Sequence, residues 1–298
     1  MSEKQFKLSK KKAKWAKQFK PQGAARGPAL NTPKGVEVTF TRDVQKIINA
    51  VIRETQKIVR KLFKTPSARD YFAEDSAAFT NTANKSLDAL FERLSANSRL
   101  AATKTARKMA KGANQASRAS MAASLKELSG GVTLNPSDLG GNIPTIMQAS
   151  IESNAGLIVN ITDTYILKVS DAVNRSIMNG RGLQDLIPFF RAQTGVSKRH
   201  GKNVALDQTR KAFNALNVAR MENVGLSKFE WVHSGGGQKP RELHITPWPE
   251  GLNGGIFDIH DPPIIELDPV VRGLPSEAIN CKCRIAPVLV FDDEEPAT

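Results

Sequence analysis

The amino-acid sequence predicts a mostly α-helical protein whose long helices form an extended or bundled body, with a small, loop-rich α+β module at the carboxyl end. Two observations predict this fold class. Apolar residues recur at three- and four-residue spacing through much of the first 225 residues, which is the pattern of amphipathic helices. After Gly225 short alternating runs are separated by glycine and proline, which indicates short strands and turns.

The amino-terminal segment, residues 1–35, is predicted to be a basic, irregular and mobile arm. Its many lysines face a single acid, Glu3, and glycine, alanine and proline accumulate towards Pro33. Basic side chains can neutralise phosphates while an aromatic ring stacks or anchors in a partner. The residues predicted to contact nucleic acid or a partner are Lys10, Lys11, Lys12, Lys14, Trp15 and Lys17. The alternative is a solvated tail that only keeps the protein soluble.

Two helical regions are predicted next, a basic one over residues 36–135 and a second over 142–225. The first helix, 43–64, carries one continuous apolar stripe and ends before Pro66. Gly130-Gly131 and Gly140-Gly141 mark the boundary between the two regions. The other predicted helices are 67–94, 97–128, 144–179, 183–193 and 197–223.

The remaining residues are predicted to form a small module, 226–291, and an acidic tail, 292–298. Residues 229–233 alternate like a strand, and Trp231 is expected to anchor a core. Further short strands are plausible at 255–258 and 284–291. Pro287 lacks an N–H group, so it is expected to confine the last strand to a sheet edge or a bulge.

Composition limits the class of protein. The formal net charge of +14 favours a polyanionic partner, either nucleic acid or an acidic protein surface. No apolar run approaches the roughly 18–20 residues needed to span a bilayer, so no membrane association is expected. No apolar segment of a secretory signal follows the basic amino terminus, and two cysteines exclude a disulfide-built scaffold. We therefore expect a protein made in the cytosol.

Several motifs in the carboxyl-terminal third occur in a recognisable order. A long polar helix leads through Gly225 to the Phe229–Val232 strand, followed by Arg241-Glu242-Leu243-His244 and then by Asn280-Cys281-Lys282-Cys283-Arg284. In this order and composition the chain resembles the phage head morphogenesis family, the Mu F-like minor head proteins of tailed bacteriophages. The resemblance covers residues 145–291 and is sharpest over 205–291. Family members often have an acidic residue where this chain has Gly235-Gly236-Gly237-Gln238.

The resemblance implies a structural protein of the virion without enzymatic activity. Such proteins are low-copy components assembled in the host cytoplasm and located in the head interior near the portal vertex. The implied partners are the portal protein, the scaffold or major capsid protein, and the packaged double-stranded DNA. Two alternatives stay open, a free basic DNA-binding protein and a metal-dependent enzyme that uses the Cys/His residues.

A cysteine pair and upstream histidines suggest a structural zinc site. Cys281 and Cys283 are two residues apart, so in an extended chain both sulfur atoms project to one face. Two thiolates and two imidazoles are a common tetrahedral zinc set. The predicted ligands are His244, Cys281, Cys283 and, as fourth, His260, for which Asp258 or Asp261 could substitute. The alternative is that the cysteines are small buried hydrophobes and the histidines lie on surface loops.

Known catalytic motifs do not fit these residues. A zinc deaminase needs His-x-Glu with Pro-Cys-x-x-Cys, whereas this chain has His244-Ile245-Thr246 and Cys281-Lys282-Cys283. The HExxH, Walker A and GxSxG patterns do not occur. Arg241, close to His244, is expected to form a structural ion pair, with phosphate binding as the alternative. The sequence therefore predicts no enzyme and no cofactor other than zinc.

Overall fold

A computed structural model describes residues 24–64, 76–131, 140, 142–179, 182–236 and 239–290 of the chain. The arm residues Lys10, Lys11, Lys12, Lys14, Trp15 and Lys17 and the acidic tail 292–298 lie outside this part. The helices are α1 (Lys34–Leu62), α2 (Ser76–Leu128), α3 (Ile143–Met178), α4 (Leu183–Asn223) and the one-turn α5 (Glu242–Ile245). The strands are β1 (Ala24–Arg26), β2 (Lys228–Val232), β3 (Ile256–Asp258), β4 (Ile264–Leu267), β5 (Val270–Arg272) and β6 (Arg284–Val290).

The predicted fold class is confirmed, because long helices make up most of the described residues and the strands are concentrated in the carboxyl-terminal part. Helices α1, α2 and α4 are longer than predicted. α1 begins at Lys34 rather than at Asp43, and its apolar stripe extends back to the buried Phe40. The predicted breaks inside residues 76–128 and 183–223 were wrong, since α2 and α4 are each continuous. Gly195 lies within α4, because a glycine disfavours a helix interior only modestly.

The chain packs into two compact units, and each takes residues from separate stretches of the sequence. We call residues 37–109 and 150–206 the helical unit, and the described residues of 24–36, 110–149 and 207–290 the sheet unit. The sequence, by contrast, suggested consecutive domains. The long helices contribute segments to both units, and the boundaries along the sequence stay predictions.

In the helical unit four helical segments form a bundle around an apolar core. The buried side chains include Val44, Ile48, Val51, Val59, Leu87, Leu90, Ile158, Tyr165, Ile166 and Val169. Polar side chains bridge the helices around this core. Gln45 donates to the Lys198 carbonyl at 2.7 Å, and Ser95 donates to the Asp163 carboxylate at 3.3 Å. None of the helices among the described residues has the length and apolar character needed to cross a bilayer.

The sheet unit contains an antiparallel four-stranded sheet in the order β1-β6-β2-β3 and a β4–β5 hairpin. Phe229 and Trp231 of β2 are both fully buried, which confirms Trp231 as a core anchor. Helical segments from α2 and α4 join through a buried polar network in this unit. Ser117 donates to Asn217 at 2.6 Å, and Arg220 donates to Ser117 at 2.8 Å.

Two predictions about the sheet were wrong. Residues 24–26 do not belong to an irregular arm but form β1, which pairs with β6 from Ala24↔Val290 to Arg26↔Val288. Consequently β6 lies between β1 and β2, although Pro287 was expected to restrict it to an edge or a bulge. The carbonyl of Pro287 accepts the Gly27 N–H at 2.8 Å, so its nitrogen faces the β1 side, where that three-residue strand has already ended. The missing N–H therefore costs little.

Candidate metal centre

His244 is held in a fixed orientation inside the sheet unit. It lies in the one-turn helix α5 and is 3% exposed. Its Nε2 is 2.9 Å from the Ile265 carbonyl of β4, and since a carbonyl can only accept, Nε2 carries the proton. The ring also packs edge-on against Trp231, with 5.0 Å between ring centroids. These contacts leave Nδ1 as the nitrogen that faces the two cysteines.

The cysteines lie in a tight loop just before β6, and both are buried. Asn280 has a φ of 59°, in the left-handed region, where asparagine is tolerated better than most residues. The carboxylate of Asp207 in α4 accepts the Asn280 N–H at 2.7 Å, and Ser276 donates to the Cys283 carbonyl at 2.9 Å. The loop is thus fixed on both sides of Cys281 and is anchored to a long helix.

The structure brings three predicted ligands together. His244 Nδ1 lies 3.6 Å from Cys281 Sγ and 3.8 Å from Cys283 Sγ. The potential ligand atoms of these three residues all lie within 4.8 Å of one another. His244 lies in α5, whereas Cys281 and Cys283 lie in the loop before β6, 37 and 39 residues further along the chain. Folding therefore assembles a buried cluster with the atoms that zinc prefers.

A fourth residue at the cluster is His233, whose Nδ1 lies 3.6 Å from Cys283 Sγ. It follows β2 directly and is half-buried, and its backbone N–H donates to the Asn253 side chain at 2.9 Å. The sequence analysis noted His233 only as the end of the Trp231 strand. A usable signal was the alternation Phe229, Trp231, His233, because every second residue of a strand points to the same face.

The residues predicted to supply the fourth ligand lie elsewhere. The His260 side chain is 67% exposed, and its Nδ1 is 3.9 Å from the Glu222 carboxylate. Asp258 pairs with Lys228 at 3.0 Å, and Asp261 pairs with Arg272 at 2.8 Å. None of the three belongs to the cluster formed by the described residues.

The two thiols interact strongly with each other. A hydrogen bond from the Cys283 thiol lowers the pKa of Cys281, and the Cys283 backbone N–H adds to this effect against the opposing effect of burial. The same thiol–thiol contact, together with burial and the charge on Cys281, raises the pKa of Cys283. The contact between the thiols therefore favours the thiolate at Cys281, and the thiolate is the form that binds metals.

The cluster borders a cavity of about 370 Å³ whose lining includes Lys239, Arg241 and Lys282. Arg241 also forms the expected structural ion pair, with its Nη2 2.9 Å from the Glu266 carboxylate. No carboxylate is found among the described residues that line the cavity. The described part of its lining therefore offers no carboxylate as a general acid or base.

Residues 167–286 match the model of a family described as Phage Mu protein F like protein. This segment is therefore similar to the Mu F-like family. The match covers about two fifths of the chain, from the second half of α3 into β6, and includes His233, His244 and both cysteines. It confirms the resemblance seen in the sequence.

Similarity extends beyond the Mu F-like segment. The chain is 25% identical over 289 residues to a protein of Haemophilus influenzae (strain ATCC 51907 / DSM 11121 / KW20 / Rd) that is described as uncharacterized. This alignment takes in 95% of the present chain but 58% of the relative, so the chain spans less than two thirds of that protein's length. No solved structure matches the chain.

Proposed function

We propose that this chain is a minor head protein of a tailed phage, which acts structurally in head morphogenesis at the portal vertex and contacts the packaged DNA. The observation that carries the proposal is the Mu F-like segment over residues 167–286. The partners would be the portal protein, the scaffold or major capsid protein, and double-stranded DNA. The protein would assemble in the host cytoplasm and remain in the head interior.

The surface of α2 supports the DNA contact. Between residues 93 and 126 this helix carries eight cationic side chains and no acidic one, and all eight cations are exposed. They are Arg93, Arg99, Lys104, Arg107, Lys108, Lys111, Arg118 and Lys126. Cations concentrated in this way favour a polyanion, because each phosphate contact releases condensed counterions from the DNA.

Part of this charge forms a stripe on one helix face. At 100° per residue, Arg93, Lys104, Arg107, Lys111 and Arg118 fall within a sector of about 60°. The last four of them form no ion pair with another residue in the described part of the chain, so their charge is available to a ligand. We call Lys104, Arg107, Lys111 and Arg118 the basic stripe. Several weak contacts of this kind give useful affinity through multivalency, without one deep site.

The site chemistry also favours a structural role over an enzymatic one. The described lining of the cavity beside the Cys/His cluster contains lysine and arginine but no carboxylate. A hydrolytic zinc site of the deaminase type needs a glutamate as general acid and base.

The head role is tested by quantitative mass spectrometry of heads purified from cells that produce the phage. Heads assembled with portal are compared with heads assembled without portal. We expect the protein at low copy number and only in particles that contain portal. Absence from both kinds of particle would contradict the proposal and would favour a free DNA-binding protein. Equal amounts in both would contradict the association with the portal.

The DNA contact is tested with two variants of equal net charge. One changes the four residues of the basic stripe to glutamine, and the control changes four exposed cations of α1 to glutamine, namely Arg53, Lys57, Arg60 and Lys61. Affinity for duplex DNA is measured against salt concentration. Because the logarithmic slope is roughly −0.9 per phosphate contact, the stripe variant should lose about three to four units of slope. An equal loss in the control would assign binding to net charge instead.

A further inference from the structure

We propose that His233, His244, Cys281 and Cys283 together bind one Zn²⁺ ion, which links the end of β2, helix α5 and the loop before β6. The proposal concerns a structural metal site and does not depend on the role of the protein in the phage head. It rests on three sulfur–nitrogen distances among these side chains, on the hydrogen bond that orients His244, and on the pairing of β2 with β6.

The distances between the side chains fit tetrahedral coordination. Zinc binds cysteine sulfur at about 2.3 Å and histidine nitrogen at about 2.0–2.1 Å, so a tetrahedral site separates sulfur from nitrogen by about 3.6 Å. The sulfur–nitrogen distances here are 3.6 Å from Cys281 to His244, 3.8 Å from Cys283 to His244 and 3.6 Å from Cys283 to His233. These three sulfur–nitrogen distances are therefore already close to what the ion requires, and small side-chain movements would bring His233 to the other two ligands.

His244 has the outer contact that zinc-bound histidines usually have. A histidine ligand commonly donates its second ring N–H to a carbonyl or carboxylate, which fixes the tautomer and the ring orientation. His244 donates Nε2–H to the Ile265 carbonyl at 2.9 Å, so Nδ1 presents its lone pair to the sulfur atoms. A hydrogen bond accounts for this arrangement less well than a metal ion does, because the single lone pair of Nδ1 faces two sulfur atoms.

Strand pairing explains why His233 is at the cluster. β2 and β6 are antiparallel, and their register ends with Trp231↔Ile285 and Val232↔Arg284. Continuing this register by one pair places His233 directly opposite Cys283. Opposite residues in an antiparallel pair have Cβ atoms about 4.5–5.5 Å apart, which suits two ligands of one ion. The same face of β2 also carries the buried Trp231, which packs against His244.

The ligand types select zinc among the common metals. Two thiolates and two imidazoles in a tetrahedral arrangement favour Zn²⁺, whereas Mg²⁺ and Ca²⁺ require oxygen ligands. The Cys283 N–H also donates to Cys281 Sγ at 3.4 Å, a contact that stabilises a thiolate ligand. The strands of this unit are short, so a metal that joins three of its segments would add stability that a small core lacks.

The first experiment measures zinc by elemental analysis in the full-length chain, purified without a histidine tag. We expect one zinc per chain in the wild type and in His260→Ala, the control that removes an exposed histidine outside the cluster. Cys281→Ser and Cys283→Ser should each lose it. A wild-type chain that stays without zinc after incubation with Zn²⁺, or serine variants that keep one equivalent, would overturn the proposal.

A second measurement does not require that any variant fold. Co²⁺ bound to the wild-type chain should show the strong visible bands of a tetrahedral site and a thiolate-to-cobalt charge-transfer band in the near ultraviolet. Weak bands typical of six-coordinate cobalt, without charge transfer, would contradict the ligand set.

The fourth ligand is tested separately by chelator competition. His233→Ala should weaken zinc binding by more than about 100-fold, beyond the 10- to 100-fold typical of residues that only orient a ligand. His260→Ala should leave the affinity unchanged. Unchanged affinity in His233→Ala would remove that residue from the site, and a loss in His260→Ala would restore the assignment made from the sequence.

Discussion

Replacing Gly201 with alanine tests the close packing of α4 against α1 inside the helical unit. Gly201 is buried, and a Cβ atom there would lie 2.2 Å from Ile48 Cδ1 and 3.4 Å from Val44 Cγ1. Carbon atoms in contact normally lie about 3.5–4.0 Å apart, so Ile48 would have to move by more than about 1 Å. The glycine therefore allows the two helices to approach closely.

Two opposing effects set the size of the change. Alanine in a helix interior is favoured over glycine by about 1 kcal/mol. Forcing an extra carbon into a packed core costs about 1–3 kcal/mol. We expect a net destabilisation of about 1 kcal/mol for Gly201→Ala. In Gly156→Ala of α3, where the glycine is exposed and nothing lies within 4 Å of the new Cβ, only the gain remains. That variant should be about 0.5–1 kcal/mol more stable than the wild type.

A second substitution identifies the colliding atom. Ile48→Val removes Cδ1 and should alone cost about 0.5–1.5 kcal/mol. In the Gly201→Ala background the same change should cost nothing or stabilise the protein, because it also relieves the collision, which corresponds to a coupling of about 2 kcal/mol. Urea unfolding followed by far-ultraviolet circular dichroism gives the order of stabilities. Hydrogen exchange of peptides from α1 and α4 shows whether the effect is local. If Gly201→Ala were as stable as Gly156→Ala, the packing argument would be wrong.

Three further predictions concern single side chains. Asp207→Ala should remove the acceptor of the Asn280 N–H and cost about 1.5–3 kcal/mol, with faster hydrogen exchange in the cysteine loop, whereas Asp207→Asn should retain part of the protection. Burial opposes ionisation of Asp258, but hydrogen bonds from the His260 backbone N–H and from Lys228 outweigh it and lower the pKa of this carboxyl group. The ionised Asp258 therefore stabilises the fold above about pH 4, and this contribution is lost as the pH falls through the lowered pKa. Asp258→Asn should therefore be less stable than the wild type at pH 7, and urea titrations at lower pH should show the difference disappearing. Leu87→Ala should cost about 2–5 kcal/mol in urea unfolding, because Leu87 is 2% exposed in the helical core.

The helices could be predicted because their signal is periodic over many residues. The apolar stripe of α1 and the spacing over 144–179 identified two helices correctly in type. The second was also predicted nearly in extent, whereas α1 begins at Lys34, well before the predicted start. Errors arose where single residues were used as helix breaks. Gly195 disfavours a helix only modestly, and it lies within a helix of 41 residues.

The sheet was harder to predict because its pairing depends on residues distant in sequence. β1 pairs with β6 across more than 250 residues, and no local pattern in Ala24–Arg26 indicates a strand. The β4–β5 hairpin had a local signal that went unused, since Asp268-Pro269 is a turn dipeptide between the apolar runs Ile264–Leu267 and Val270–Arg272.

The candidate metal site shows which part of such a site a sequence can supply. Residue types identified His244, Cys281 and Cys283, but distance along the chain favours neither His260 nor His233 as the fourth ligand. Strand register favours His233, because it places this residue opposite Cys283, and a slip of one residue between β2 and β6 would turn His233 to the opposite face. A zinc ion bound by both residues would therefore hold this register in place. Zinc binding and correct pairing of the two central strands should thus be gained or lost together, and hydrogen-exchange protection of β2 and β6 should fall when the ion is removed.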